Sequence, residues 1–247
     1  ETLCEKLAEL KAKRDTCIIA LGGGVMGDIV GFVASIYMRG IPYVHVPTTL
    51  LAMVDSSIGG KTGIDLKAGK NLVGSFHQPK MVLIDPMVLK TLSQKELQNG
   101  YAEMVKHGVI ASKKLFTALE KGNLESPAVL EKLITENIRI KKKFVEADEK
   151  ETLKAKNSRM MLNYGHTIGH AIEKLTNYDK THGEAISIGM VLENRIAVNK
   201  KMLKEIDALK IKQLLSGLGL PTHIPNYISL PSIDKEIQND KKVIGGK

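Results

Sequence analysis

The sequence predicts an α/β region followed by an all-helical region: the C-terminal part of a doubly wound sheet, then a helical domain. Two observations predict it. From residue 16 to about 92, short β-type runs alternate with glycine-rich turns and a helix-like stretch, an order that implies parallel pairing. From about residue 93 the β signal fades and an apolar period of 3.6 takes over.

The elements follow in order. Residues 1–14 are charged and read as an amphipathic helix, not a signal peptide. Residues 16–21 form a β-type run ending at Gly22, and a helix is expected over 25–37. A second β run, 43–46, is closed by Pro47, and a third, 81–84, by Asp85-Pro86. Helical stretches are expected at 94–109, 126–146, 158–175, 183–201 and 203–216. Ser126-Pro127 reads as an N-cap and first-turn proline, and Gly217 with Gly219-Leu-Pro221 as a helix stop. The boundary is placed at Leu92/Ser93, giving domains 1–92 and 93–247. The chain opens on a helix that feeds a strand with no complete first βαβ unit before it, so it reads as part of something longer.

Composition narrows the function. The 247 residues are 43% hydrophobic and 26% charged, a globular balance. No apolar run reaches the ~18–20 residues of a membrane span. Cys4 and Cys17 make neither a disulfide framework nor a thiolate metal site, and a reducing cytoplasm is the default. The net charge of +9 fits a solvated lysine surface or a basic pocket for a small phosphate or carboxylate. Aromatics are 4% and tryptophan is absent, which argues against nucleic acid.

Three stretches carry the chemistry. Gly22-Gly-Gly-Val-Met-Gly27-Asp28 has the G-x-G-x-x-G spacing between a strand and a helix, suited to a phosphate or, equally, to a tight turn. The acid usual about twenty residues later is missing. Asp55-Ser-Ser-Ile-Gly-Gly-Lys61-Thr resembles a P-loop tail, but its first glycine would fall at Asp55, so the spacing fails. Small residues around Lys61, Lys70 and Asn71 suit an anion-binding loop or a solvated glycine-rich loop. Glu103, His166 with His170, and His182 come from three separate stretches, and His166 and His170 share a helix face. One carboxylate and two imidazoles would hold a divalent metal and leave positions open. The zinc-protease motif H-E-x-x-H is absent.

In this order, these motifs resemble the 3-dehydroquinate synthase family of sugar phosphate cyclases. Further matches are Arg39-Gly, Pro47-Thr-Thr-Leu-Leu51, Gly69-Lys-Asn71, Phe76-His-Gln-Pro79, Gly100-Tyr-Ala-Glu103, Leu162-Asn-Tyr-Gly-His-Thr167, His182-Gly-Glu-Ala185 and Asp240-Lys-Lys242. The resemblance implies an NAD-binding α/β domain, here lacking its N-terminal part, and a helical metal-binding domain. It implies a phosphate-eliminating lyase of the shikimate pathway, in aromatic amino acid biosynthesis. There, 3-deoxy-D-arabino-heptulosonate 7-phosphate is transiently oxidised at C5, loses phosphate, is reduced again and closes by an aldol step to 3-dehydroquinate.

Roles are implied residue by residue. Glu103, His166 and His182 match the ligands of one divalent metal, zinc with cobalt as the alternative. His170, Glu151, Lys61 and Lys106 match catalytic positions. Arg39, Lys61, Asn71, Glu103, Lys106, Lys141, Arg159, Asn163 and His166 match substrate contacts, with Lys242 or Lys247 as a further one. Gly23, Gly24, Val25, Asp28, Thr48, Thr49, Asp55, Lys70, Thr91 and Asn99 match NAD contacts. The 148–159 stretch is longer than in many relatives, which loosens Glu151 and Arg159. A homodimer with a small sugar phosphate substrate, and no nucleic-acid or membrane partner, is implied. A sibling cyclase acting on another sugar phosphate and a truncated, non-catalytic chain are the alternatives.

Overall fold

The computed structural model describes residues 2–66, 69–124, 126–153 and 158–239, with 69–71 as backbone only. The order is α1 (Thr2–Glu9), β1 (Ile18–Gly22), α2 (Gly24–Ile36), β2 (Tyr43–Pro47), β3 (Lys61–Leu66), β4 (Gly69–Phe76), β5 (Met81–Val82), α3 (Gln94–Ala111), α4 (Lys113–Lys121), α5 (Pro127–Ala147), α6 (His166–Leu175), α7 (His182–Asn199), α8 (Glu205–Gly217) and α9 (Leu230–Asn239). The mixed α/β plus helical architecture agrees with the sequence reading. Two compact units form: 1–97 with 124–150, and 98–123 with 151–247.

In the first unit β1, β2 and β5 make a parallel sheet, with Ile18 opposite Tyr43 and Val44 opposite Met81. Side chains alternate between faces. Ala20 and Tyr43 point to one face, where they form a core with Ala34 of α2 and Ile41, backed by Leu7, Val30 and Tyr37. Ile19, Leu21, Met81 and Leu83 are 65%, 63%, 57% and 56% exposed. The stretch around Lys61 and Gly69-Lys70-Asn71, read from the sequence as an anion-binding or solvated glycine-rich loop, instead lies in the antiparallel hairpin β3–β4. The glycines masked the β-branched Thr62, Ile64 and Val73, whose side chains suit a pleated strand. The sequence reading assigns α5 to the helical part, but it belongs to this unit. Its buried Lys141 pairs with Asp55 at 2.7 Å.

In the second unit α6 and α7 pack tightly. Their core is Ile168, Ala171, Ile172, Ala185 and Ile188, joined by Ile233 of α9. Two glycines permit the approach. A Cβ on Gly189 would lie 2.0 Å from the Gly165 carbonyl oxygen, and Gly165 itself is left-handed, with φ of 80°. That turn also breaks the expected 158–175 helix into a 3-10 turn, Arg159–Asn163, and α6. The short helices α4 and α9 are not among the stretches expected from the sequence. Among the described residues no helix is long and apolar enough to cross a membrane.

Candidate metal centre and active site

Three elements of the second unit bring the predicted ligands together. Glu103 sits mid-way along α3 and is fully buried. His166 is the first residue of α6, placed there by the Gly165 turn. His182 is the first residue of α7, whose start is fixed by a capping box between Thr181 and Glu184. The Gly183 amide also donates to Asn99 Oδ1 at 2.5 Å, tying α7 to α3.

Glu103 Oε1 lies 3.2 Å from His182 Nε2 and 3.3 Å from His166 Nε2. One donor atom from each of the three residues lies within 4.8 Å of the other two. The site passes a chemical test for a cation. Metal–ligand distances of about 2.0–2.1 Å in a tetrahedron give ligand separations of about 3.3 Å, the spacing seen here. His166 Nδ1 lies 3.1 Å from the Tyr164 carbonyl oxygen. That oxygen only accepts, so Nδ1 carries the proton and the Nε2 lone pair faces the carboxylate. Two lone pairs aimed at each other call for a positive charge between them.

Lys106, 1% exposed, pairs with Glu103 Oε2. Burial pushes the Glu103 carboxyl up, but Lys106 and the two imidazoles outweigh it and hold the group well below the usual carboxylate range. Burial, with Lys106 adding to it, lowers His166. Burial would also lower His182, but its hydrogen bonds to Glu103 and Glu173 push it up to about 9. The His170 ring lies 5.3 Å from that of His166 and 6.0 Å from that of His182. Asn163 Nδ2 donates to Glu151 Oε1 at 2.8 Å, and Arg159 is buried nearby in the chain.

The remaining predicted residues of known placement lie in the first unit. Gly23 is the N-cap of α2 and supplies no side-chain cap, so the first-turn amides face outward for an anion. A Cβ on Gly23 would meet the Thr49 methyl at 3.1 Å, and one on Gly24 would meet Ser56 Oγ at 3.0 Å. Both glycines therefore pack closely against the Thr49 and Ser56 side chains, which sets the start of α2 against that segment. Val25 is exposed beside it, and the Thr48 amide donates to the Gly22 carbonyl. Asp28 is pushed up to about 7 by burial; Lys141 opposes the shift, and Asp65 and Asp55 add to it. Lys61 opens β3 and Arg39 ends a 3-10 turn with φ of 68°. Thr91 Oγ1 donates to the Val88 carbonyl. The side chains of Lys70 and Asn71, and all of Lys242 and Lys247, lie outside the described residues.

The family profile for the N-terminal part of 3-dehydroquinate synthase matches residues 1–99, and that for its C-terminal part matches 100–243. The chain belongs to the 3-dehydroquinate synthase family. It is 47% identical over 246 residues to the 3-dehydroquinate synthase of Nostoc sp. strain PCC 7120, covering 97% of this chain and 67% of that protein. It is 46% identical over 240 residues to that of Desulforamulus reducens, covering 95% and 66%. The chain thus spans about two thirds of the length of these relatives.

Among solved structures, 2-epi-5-epi-valiolone synthase from Streptomyces hygroscopicus, with NAD+ and Zn2+ bound, is 28% identical with a TM-score of 0.90, covering 97% of this chain and 67% of that one. A 2-deoxy-scyllo-inosose synthase complexed with carbaglucose-6-phosphate, NAD+ and Co2+ is 34% identical with a TM-score of 0.84, covering 98% and 66%.

Two site residues escaped the sequence reading. Glu173 Oε2 lies 3.5 Å from His182 Nδ1 and 4.0 Å from His170 Nε2. Glu193 Oε2 accepts from the Gly165 amide at 2.8 Å, just ahead of His166. The first had a signal: 166, 170 and 173 stand at i, i+4 and i+7, one face of a helix. The second had none, because it meets Gly165 only through tertiary packing.

Proposed function

We propose that this chain carries the catalytic part of a 3-dehydroquinate synthase, converting 3-deoxy-D-arabino-heptulosonate 7-phosphate to 3-dehydroquinate and phosphate. The nucleotide contacts fall mainly in 1–92, and the metal and most substrate contacts in 93–247. The observation that carries this reading is the convergence of Glu103, His166 and His182 within 4.8 Å, in a chain matched by the family over nearly all its length.

When bound, NAD supplies a reversible hydride acceptor for the C5 alcohol, and the divalent ion a positive charge that steadies the oxygen on that carbon. Glu103, His166 and His182 hold the ion. Lys106 keeps a cation against the Glu103 carboxylate, so the site stays electropositive toward a doubly anionic substrate. Arg159 suits a carboxylate or phosphate bidentately; Asn163 in the same unit, and Arg39, Lys61 and Lys141 in the first, are the further substrate contacts the family resemblance assigns. His170 and Glu151 hold the proton positions, Glu151 being oriented by its bond from Asn163. The substrate's own phosphate can take the proton during elimination, which leaves the protein mainly to hold geometry. A cytoplasmic homodimer with no nucleic-acid partner belongs to the same reading; the low aromatic content supports the last point.

The test is phosphate release from the heptulosonate with NAD and zinc, by the chain alone and joined to the N-terminal third of a relative. Release from either supports the reading, and release from neither overturns it. The siblings found among solved structures favour a second reading, a cyclase for a sugar phosphate without a carboxylate. Sedoheptulose 7-phosphate and glucose 6-phosphate in the same assay decide between them.

A further inference from the structure

We propose that Glu173 is a positioning residue that fixes His182 for the metal. The inference rests on the reading of His182 as a ligand. Glu173 lies in α6, the helix that starts with His166, whereas His182 starts α7. Its carboxylate is 4% exposed, so it carries a desolvation cost unless polar partners meet it. His182 meets it: Oε2 is 3.5 Å from His182 Nδ1, with His170 Nε2 farther off at 4.0 Å.

The two nitrogens of His182 face two different carboxylates. Nε2 faces Glu103 at 3.2 Å, within the ligand cluster, and Nδ1 faces Glu173. A carboxylate at Nδ1 holds the proton there and leaves the Nε2 lone pair for the ion. It also sets the rotation of the ring and makes the imidazole a stronger donor. His166 achieves the same result with a backbone carbonyl. The two histidine ligands are therefore oriented by different means, one by the chain itself and one by a replaceable side chain. Because Glu173 and His166 share α6, a single helix supplies one ligand and orients the other.

The experiment compares the chain with Glu173→Gln and Glu173→Asp, reading zinc affinity by chelator competition and the visible spectrum of the cobalt-loaded protein. Glutamine keeps the volume but can no longer accept as a charge. Zinc affinity should fall roughly 10–100-fold, with a shifted cobalt spectrum, and Asp should restore part of both. Unchanged affinity and spectrum in Glu173→Gln would overturn the proposal. So would two bound ions per chain with one lost on substitution, because Glu173 would then be a ligand. Should Glu173→Gln fail to fold, Glu173→Met, of similar volume and without a charge, carries the same comparison, and its unchanged spectrum and affinity overturn the proposal. His182→Ala and Glu103→Ala separate the underlying reading. If they keep full zinc affinity, the ligand assignment fails; if they lose it while Glu173→Gln does not, only the present proposal fails.

Discussion

The two units differ in what their burial leaves open. The second unit hides several charges: Glu103, Lys106, Arg159 and Glu173 are all at most 4% exposed, with Lys106 paired to Glu103 and Glu173 facing His182. The first unit leaves an apolar sheet face in solvent, with Ile19, Leu21, Met81 and Leu83 each more than half exposed. Parallel sheets ordinarily have both faces covered, and among the described residues only the α2 face is. The candidate metal ligands thus all lie within the second unit, while the glycine turn read as a nucleotide contact sits on a sheet whose other face is exposed. Metal binding should therefore be the more robust property of the chain.

The largest expected effect tests that centre. His182→Ala should cost at least ~100-fold in zinc affinity, more than loss of an orienting partner does, while far-UV helicity is kept. Retained stoichiometric zinc would mean that the second unit holds no such centre. Next comes the helix packing that aligns the ligands. Gly189→Ala puts a methyl 2.0 Å from the Gly165 carbonyl oxygen, on backbone that cannot swing away. Overpacking of this kind costs about 1–3 kcal/mol, and urea unfolding should find the upper end, together with weaker zinc binding because Gly165 precedes His166. A variant as stable as the parent would show that α6 and α7 are not pressed together.

Much of this was legible in the sequence, and the gaps have physical causes. The parallel strands and the helix between them follow from short apolar runs punctuated by glycine and proline. Glu103, His166 and His182 stood out because their motifs fall in the right order. The β3–β4 hairpin was missed because glycines at 63, 69 and 74 imitate a loop. The split of 158–175 was missed because an apolar period cannot reveal that one glycine takes a left-handed φ. The place of α5 depends on a buried Lys141–Asp55 pair, 86 residues apart in the chain. No local pattern encodes a contact of that range.

A smaller effect belongs to the first unit alone. Asp28 is half-buried on α2, and burial raises its folded pKa from 3.8 to about 7. A raised pKa means the fold prefers the neutral acid. Its contribution to stability is fully present below about pH 3.8 and is lost as pH rises toward 7. Asp28→Asn should flatten that decline in a series of urea midpoints between pH 4 and 8. An unchanged slope would show that Asp28 keeps its charge at little cost.

The smallest effect is the one that most sharpens the contrast between the units. Leu21 and Ala20 are neighbours on β1 but point to opposite faces, one 63% exposed and one fully buried. If the Leu21 face is bare, Leu21→Lys removes no packing, and stability should stay within about 0.5 kcal/mol. It should also weaken binding of an apolar dye such as ANS, because the exposed patch is broken by a charge. Ala20→Lys, by contrast, places an ammonium in the core under α2 and should prevent folding of the first unit. A Leu21→Lys chain destabilised as severely as Ala20→Lys would mean that both faces are covered in solution. The two units would then not differ in the way their burial implies.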